Sequence, residues 1–584
     1  MRKNNKIAAK AFTFLVCLTL LTGCGNSSGD SKGNGNGGDT QVTATAEPSK
    51  DADNKNDDGN KSSEDKSGTD EGKSDSKDTN SSNDNNSSET NNQSGDNNDK
   101  STDSNDQSGS NDASSDVNIP ASATFKTISI DYKTKDLETS YVPGDCTSIV
   151  FSDNDIKVVG KETEISNVDG KQIVKIIKKG DYLISGSCSN GQIIVEANKE
   201  KDVRLILAGL TLSCTDSAPI YEKQCDKMVI TLAEGTENVL SDESQYVYED
   251  TEKKQPDAVI FAKDDLVING NGTLKVDSAY MEGIHSTDSV KLISGNISVR
   301  SGDNGVRGKE GVIIKGANLD VTSKGDGIKT TYSDNTSLGY IIIEGGNVKL
   351  YTAKDAIQAT GHIQISGGTL DITTDNGVAH AGSEDESKSA KGIKSDHDVY
   401  IGGGTVNINS SDDGINNNGN IIFDGGSLTV TAFDDGLQSD MDIVINGGSV
   451  DVKSTKGIKG KSVSVKGGDV QVNASEGTGI KASSGKDDDE DSKVIFGEDD
   501  PFAVDSEVYI AVAGGTVHIN AEAGKCLNSD GNLYIAGGKV TIDGSLAVDG
   551  GAVSFDGTAF VTGGSIENKD GVSIKEEILK LNNK

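Results

Sequence analysis

The sequence predicts an all-β chain wound into a right-handed parallel β-helix, and three observations predict it. From residue 203 onward the chain repeats itself at about 22 residues per unit; each unit carries short runs in which Val, Ile or Leu alternate with polar residues; and Gly-containing or polar turns separate the runs. "VYIGGGTVNINSSDDGI" and "IIFDGGSLTVTAFDDGL" show the plan, a β-type run, a glycine turn, a second β-type run, then a polar turn ending in Gly before an aliphatic residue. That Gly falls at 283, 305, 327, 392, 414, 436, 457 and 479, with Ala356 in the same place once. Such short runs leave a helix no room to compete. One unit cannot bury its own apolar face, whereas stacked units bury a continuous core at one rung per ~4.8 Å. A β-propeller would need repeats of about 40 residues with aromatic landmarks, and a calcium-binding roll a period of about 9; neither is present.

Taken in order, the chain opens with a basic start (Arg2, Lys3, Lys6, Lys10), a short apolar run and then Leu21-Thr22-Gly23-Cys24. That tetrapeptide resembles the lipobox of bacterial lipoproteins. The resemblance implies a signal peptide over residues 1–23, lipidation at Cys24, and an extracellular protein anchored to the cell membrane. No later segment approaches the ~18–20 apolar residues of a membrane span. Residues 24–118 are almost entirely Ser, Asn, Asp, Gly, Lys, Glu, Gln and Thr, with too little apolar surface to offset the entropy of ordering, and read as a disordered tether spanning roughly 50–60 Å.

Residues 119–202 read as an N-terminal cap and first irregular coils, needed because an open coil end exposes a sheet edge. Residues 203–565 read as the β-helix proper, with Ile220 and Ile260 threaded onto the Gly-aliphatic column. Residues 566–584 read as a tail or cap, with Ile574, Ile578 and Leu581 at helical spacing. Two steps exceed the period, Gly327 to Ala356 at 29 residues and Ala356 to Gly392 at 36, which fits inserted loops. The 47 residues from Gly479 to Cys526 are open to two readings, one coil with a long loop or two coils. For Cys146, Cys188, Cys214, Cys225 and Cys526 both a Cys214–Cys225 disulfide and buried free thiols remain open.

With 56 basic against 93 acidic residues and a net charge of -37, the chain repels phosphate, so nucleic acid is not an expected partner and cations or neutral ligands are. No oligomerisation signal stands out, and a monomer is expected. The absence of Trp and an aromatic content of 4% exclude a flat platform of Trp rings for neutral sugars.

Stacking brings the residues before the Gly into one column: Glu282, Asn304, Asp326, Asp355, Lys391, Asp413, Asp435, Lys456 and Thr478. The residues after the aliphatic position form another: His285, Arg307, Lys329, Gln358, Lys394, Asn416, Gln438, Lys459 and Lys481. Asp412, Asp413, Asp434 and Asp435 put four carboxylates on two adjacent rungs, which repel unless lysines or a hard cation neutralise them. Ca2+, which takes about 6–8 oxygens, suits such a corner, with Asn416, Asp440 or backbone carbonyls completing the shell. Lys456 on the next rung is positioned to close the acidic column on Asp435. Stacked Asp and Asn also bond the backbone N–H groups of turns without any metal. Arg307, Lys329, Lys394, Lys459 and Lys481 are candidates to bind an anionic ligand, or else a solvated face that balances the aspartates.

The phrases "ITLAEGTENVLSD", "DDLVINGNGTLKV", "NGVRGKEGVIIKGANLDVTSKGDGIKT" and "DDGINNNGN" resemble the bacterial carbohydrate-binding domain family typified by a clostridial surface protein, over roughly residues 120–565. The resemblance implies a parallel β-helix that binds calcium and attaches to plant cell-wall polysaccharide, with a leaning towards acidic sugars such as polygalacturonate. "TKGIKG" departs from the pattern by carrying Lys456 and Lys459 where acidic residues are usual, and "GKCLNSDG" by carrying Lys525-Cys526 where an Asp-Gly is expected. The family is also distantly similar to β-helical pectate lyases, which supplies a rival reading: calcium on the aspartates acidifies a proton next to a uronate carboxyl and Lys459 or Lys394 removes it. A third reading is a structural or adhesive stalk. The expectation carried forward is a non-catalytic, calcium-dependent binding module.

Overall fold

Alternate side chains of a strand point to one face, so a repeat that returns them to the same place on every coil stacks like upon like. The computed structural model, which describes residues 118–248, 250–380, 389–483, 508–544 and 551–574, is built in this way. The signal segment, Cys24 and the tether lie outside the described residues, as do residues 575–584 with their helical spacing. One interior ladder runs from Ile220 through Ile260, Ile284, Val306, Ile328, Ile357, Ile393, Ile415, Leu437, Ile458, Ile480 and Leu527 to Val553. Each pairs in parallel with the next and none is more than 2% exposed. The fold is the parallel β-helix that the repeat predicts.

A regular coil contributes three strands, for example Ile393–Ser395, Val399–Ile401 and Thr405–Ser410. Among the described residues the first kind forms a 16-stranded sheet, and the other two kinds share a 30-stranded one. They share it because in the first coils the strand Val203–Cys214 serves both, pairing with Lys227–Leu232 at one end and Glu237–Asp242 at the other. Later coils break that long strand with a glycine pair. The second glycine, as at Gly404, Gly426, Gly448 and Gly468, holds φ between 77 and 89°, where a side chain is strained. A methyl on Gly426 would also lie 2.4 Å from the Gly404 carbonyl oxygen. Gly426→Ala is expected to cost about 1–3 kcal/mol, read as a lower urea midpoint; an unchanged midpoint would mean that the turn relaxes freely.

The 47-residue step is a single coil. Ile480–Ala482 pairs directly with Leu527–Ser529, and Ser462–Val465 with Tyr509–Val512. Residues 484–507, which fall between these pairs, lie outside the described residues. The five cysteines from Cys146 onward are free thiols, four of them buried.

The stretch expected as a cap divides in two. Residues 147–176 lie at the first coil, where Ile156–Val159 and Glu164–Val168 pair antiparallel with Thr147–Phe151 and Lys171–Ile176 and so turn the open sheet edges aside. Residues 118–140 instead run as a strap along the length of the solenoid, over the outward row of the middle strands. That row reads Val229, Val267, Lys291, Ile313, Ile342, Gln364, Tyr400, Ile422, Val444, Ser464, Ala511, Tyr534 and Phe560, unusually apolar for an outside face.

Strap contacts descend the row in order. Ile119 packs on Tyr509, Ala511 and Tyr534, and Ala123 on Ile422 and Val444. Phe125 stacks on Tyr400 at 4.7 Å between ring centroids, and Ile128 exchanges two backbone hydrogen bonds with the Gln364 amide. Tyr132 covers Val229, Val267 and Ile293 under the Lys315 ammonium, 4.1 Å from its ring centroid. Asp136, fully buried, takes Lys227 at 2.6 Å and Lys291 at 3.6 Å, and Arg204 donates to the Glu138 and Ser140 carbonyls. The strap therefore starts on the last coils and ends on the first.

Candidate functional site

Strands in register turn the two sequence columns into two rows of side chains. His285, Arg307, Lys329, Gln358, Lys394, Asn416, Gln438, Lys459 and Lys481 follow one another as direct parallel partners. Their neighbours before the Gly are nearly all buried: Glu282, Asn304, Asp326, Asp355, Asp413 and Asp435 are at most 5% exposed.

Asp326, Asp355 and Asp413 each divide their oxygens between two tasks. One oxygen serves the turn above: Asp326 Oδ1 accepts the Asp355 N–H at 3.1 Å, Asp355 Oδ1 the Lys391 N–H at 2.8 Å, and Asp413 Oδ1 the Asp435 N–H at 3.0 Å. The other oxygen serves the basic row: Lys329 Nζ lies 2.6 Å from Asp326 Oδ2, Lys394 Nζ 3.8 Å from Asp355 Oδ2, and Asn416 Nδ2 donates to Asp413 Oδ2 at 2.8 Å. Arg307 reaches Glu282 Oε1 on the preceding coil, which also accepts from Asn304, and Glu282 Oε2 is left buried without a hydrogen-bond partner. Arg307, Lys329 and Lys394 are thus held against carboxylates. Lys459 and Lys481 stack in the same row, and Lys459 acts electrostatically on both Asp435 and Asp440.

The pattern breaks at Asp435. The coil from Gly436 to Gly457 has 21 residues (457 − 436) rather than 22, and the Lys456 N–H donates to the Asp434 carbonyl at 3.0 Å. Asp435 Oδ1 is left buried with no hydrogen-bond partner. Burial first, and then the Asp413 and Asp434 charges, push the Asp435 carboxyl up to about 7 against the pull of Lys456 and Lys459. Asp413, Asp434 and Asp435 bring oxygens within 4.8 Å of one another, a grouping able to hold a metal ion. Lys391, from the coil before, lies 2.9 Å from Asp412 Oδ2 and 2.7 Å from Asp413 Oδ2. Lys456, half exposed, lies 2.7 Å from Asp434 Oδ1 and 3.9 Å from Asp435 Oδ2, so its closer partner is Asp434 and not the Asp435 that the sequence pointed to.

Asp440 is not part of this group. It follows the strand Asp435–Ser439, at the far end of that strand from the triad, and burial raises its carboxyl against the pull of Lys459. Lys391 was missed as a neutralising partner although it stands in the before-Gly column itself, one coil below Asp413. A second group, Glu222, Cys225 and Asp264, also brings three ligand atoms within 4.8 Å, with burial pushing Glu222 up to about 7 and the Cys225 thiol upward.

With these rows built, the comparison with known proteins is direct: the family described as carbohydrate-binding domain-containing protein matches residues 169–436 and 425–582. This chain belongs to that carbohydrate-binding domain family. A carbohydrate-binding domain-containing protein of Acetivibrio thermocellus is 37% identical over 234 residues, 39% of this chain and 80% of the relative. A solved structure, a gadolinium derivative of the polysaccharide lyase-like protein from C. thermocellum, is 33% identical and covers 45% of this chain and 96% of that one, with a TM-score of 0.39.

On the carbohydrate-binding domain two hollows flank the rows. One, of about 440 Å³, is lined by Phe433, Lys453, Thr455, Asn473 and Glu522. The Phe433 ring, 46% exposed, is the aromatic that the composition argument passed over; its signal was its place immediately before the aspartate pair. The other, of about 450 Å³, lies on the first coils around Lys223, Lys263, Arg307 and Lys309.

Proposed function

We propose that this carbohydrate-binding domain is a non-catalytic, calcium-dependent module for an acidic, polygalacturonate-like polysaccharide, presented outside the cell by a lipid anchor on Cys24. The observation that carries the calcium part is Asp435 Oδ1, a buried carboxylate oxygen without a donor inside a group of three carboxylates. Asp412, Asp413, Asp434 and Asp435 bring four negative charges, Lys391 and Lys456 two positive ones; the remaining two (4 − 2) match one divalent cation. A hard, oxygen-only donor set fits Ca2+ better than a softer metal. Asp413, Asp434 and Asp435 would hold it, and when bound it supplies positive charge to which a uronate carboxylate can attach. Phe433, beside Asp434, offers an apolar face to a pyranose ring.

The glycan part is supported by the family, and the acidic preference by the row of Lys and Arg, which lines up cations along one face of a chain of net charge -37. The test is retention of the protein on polygalacturonate in excess calcium and in chelator, with the absorbance of unsaturated uronide followed in the same tubes. Retention that is stronger in calcium than in chelator, without product, is expected, and Asp413→Ala with Asp435→Ala should weaken retention in calcium about tenfold or more, the loss of ~1.4 kcal/mol or more. Product formation would instead establish the lyase reading, with Lys394 or Lys459 as base. Neither retention nor product would leave the stalk.

A further inference from the structure

The basic hollow on the first coils has a composition unlike the rest of the surface. Its cations are Lys199, Lys223, Lys263, Arg307 and Lys309, and its one acidic residue is Asp264. Elsewhere on this sheet the cations are consumed: Lys329 by Asp326, Lys391 by Asp412 and Asp413, Lys394 by Asp355. Here, among the described residues, Lys199, Lys263 and Lys309 have no ion-pair partner. Asp264 makes no ion pair with them among the described residues, and its Oδ2 accepts the Cys225 N–H at 3.1 Å. Arg307 is held by Glu282 and, at 3.9 Å, by Asp257, which fixes its guanidinium at the edge of the hollow.

The fold sets these amines in a line. Lys263 follows Ala262, which pairs with Glu222 and with Ser286, and Lys309 follows Gly308, which pairs with Ser286. Lys223, Lys263 and Lys309 therefore stand at one position on three coils, with Thr287 on the coil between the last two. Lys263 is positioned by Glu222, whose Oε2 accepts the Lys263 and Asp264 N–H groups at 2.7 and 3.0 Å. Lys309 lies 5.2 Å from the Tyr332 ring centroid. At about 450 Å³ the hollow falls within the range of small-ligand sites, and Lys223, Lys263, Thr287 and Lys309 in its lining come from successive coils. The ammonium groups of Lys199, Lys263 and Lys309, unpaired in a concavity of a strongly acidic protein, concentrate field lines and select an anion.

We propose that this hollow is an anion subsite that receives the carboxylates of a uronate-containing glycan on Lys263 and Lys309 directly, without a metal ion. The inference rests on the acidic-glycan reading above and adds to it a second, calcium-independent point of attachment at the opposite end of the solenoid from the last coils. Hydroxyls of Thr287 and Thr331 and the Gln255 amide line the same hollow and suit sugar hydroxyls.

The test is titration of the whole protein with oligogalacturonate in chelator, with chondroitin sulfate and a neutral galactan as parallel arms. Saturable binding of oligogalacturonate, a Kd at least tenfold weaker in Lys263→Gln with Lys309→Gln, recovery in Lys263→Arg with Lys309→Arg, and no galactan binding are expected. Equal affinity of the wild type and the Gln variant, both with unchanged melting temperature, overturns the subsite while leaving the calcium-dependent reading intact. Loss with the Gln variant in chelator but wild-type retention on polygalacturonate no stronger in calcium than in chelator overturns the calcium reading and keeps the subsite. Preference for chondroitin sulfate over oligogalacturonate overturns the carboxylate assignment in favour of sulfate, and no binding of any anionic glycan overturns both.

Discussion

Deleting residues 118–136 is expected to lower the stability of the solenoid by roughly 5–10 kcal/mol and to make it self-associate. The strap covers a row in which Val229, Val267, Ile422 and Val444 are buried although they point outward. Removing it uncovers that row and loses the burial of Ile119, Phe125 and Tyr132, at ~1.5–3 kcal/mol for each large side chain fully buried. It also takes away Asp136, which leaves Lys227 and Lys291, each with a side chain no more than 13% exposed, without their carboxylate. Breaking a buried pair in this way costs about 3–5 kcal/mol. The sum is comparable to the whole stability of an ordinary domain. An exposed apolar stripe that long is also an association surface. Urea unfolding and light scattering after size exclusion read both effects. Asp136→Asn alone separates the charge term from the apolar one, and a deletion variant that stays monomeric with an unchanged midpoint would show the strap to be dispensable.

In calcium-free buffer the protein is expected to lose stability as the pH rises from about 4 to about 7, by as much as about 4 kcal/mol from Asp435 alone. The folded state raises this carboxyl to about 7, against an ordinary value of ~3.9. Across that window the folded chain keeps a proton that the unfolded chain has released, so each step up in pH favours unfolding, and above about 7 both states are ionised and the loss is complete. A divalent cation on Asp413, Asp434 and Asp435 competes with the proton. Excess calcium should therefore raise the melting temperature at pH 8 and leave it almost unchanged at pH 4. Asp435→Asn removes the charge and should shrink the pH dependence and abolish the calcium response, while Glu222 and Glu282, which burial also raises to about 7, keep the rest of the slope. The same slope in the variant and the wild type would mean that Asp435 is ionised when folded.

The coils were legible because their signal is periodic: a glycine before Ile, Val or Leu at a fixed step is visible without knowing any contact, and the ladder from Ile220 to Val553 follows it coil by coil. The strap was not, since Ile119, Ala123, Phe125, Ile128 and Tyr132 are spaced irregularly and gain meaning only from the row beneath. Half of that contact was nevertheless written in the repeats. "YIII", "IIF" and "IVI" are unbroken apolar runs, the mark of a strand buried on both faces, where the neighbouring "TVNIN" and "SLTVT" alternate. At the site, stacking foretold which side chains share a row, and it could not foretell how each carboxylate splits its oxygens. One clue lay in plain sight: the coil that is one residue short is the one that strands Asp435 Oδ1. The 47-residue step was unreadable from length alone, since a loop and an extra coil consume chain equally well.

The direction of the strap decides how the molecule would carry a load. Residue 118 lies over the last coils, while the chain it leads into joins the first coil at Thr147. For a protein held by its N-terminus and gripping a polymer through its first coils, tension would pass from residue 118 along the strap straight to the far end. The strap's contacts with the row would then be sheared all at once instead of peeled one at a time, and the hydrogen-bonded coils would stay out of the line of force. Such a solenoid behaves less like a spring that unwinds than like a rod bolted along its side.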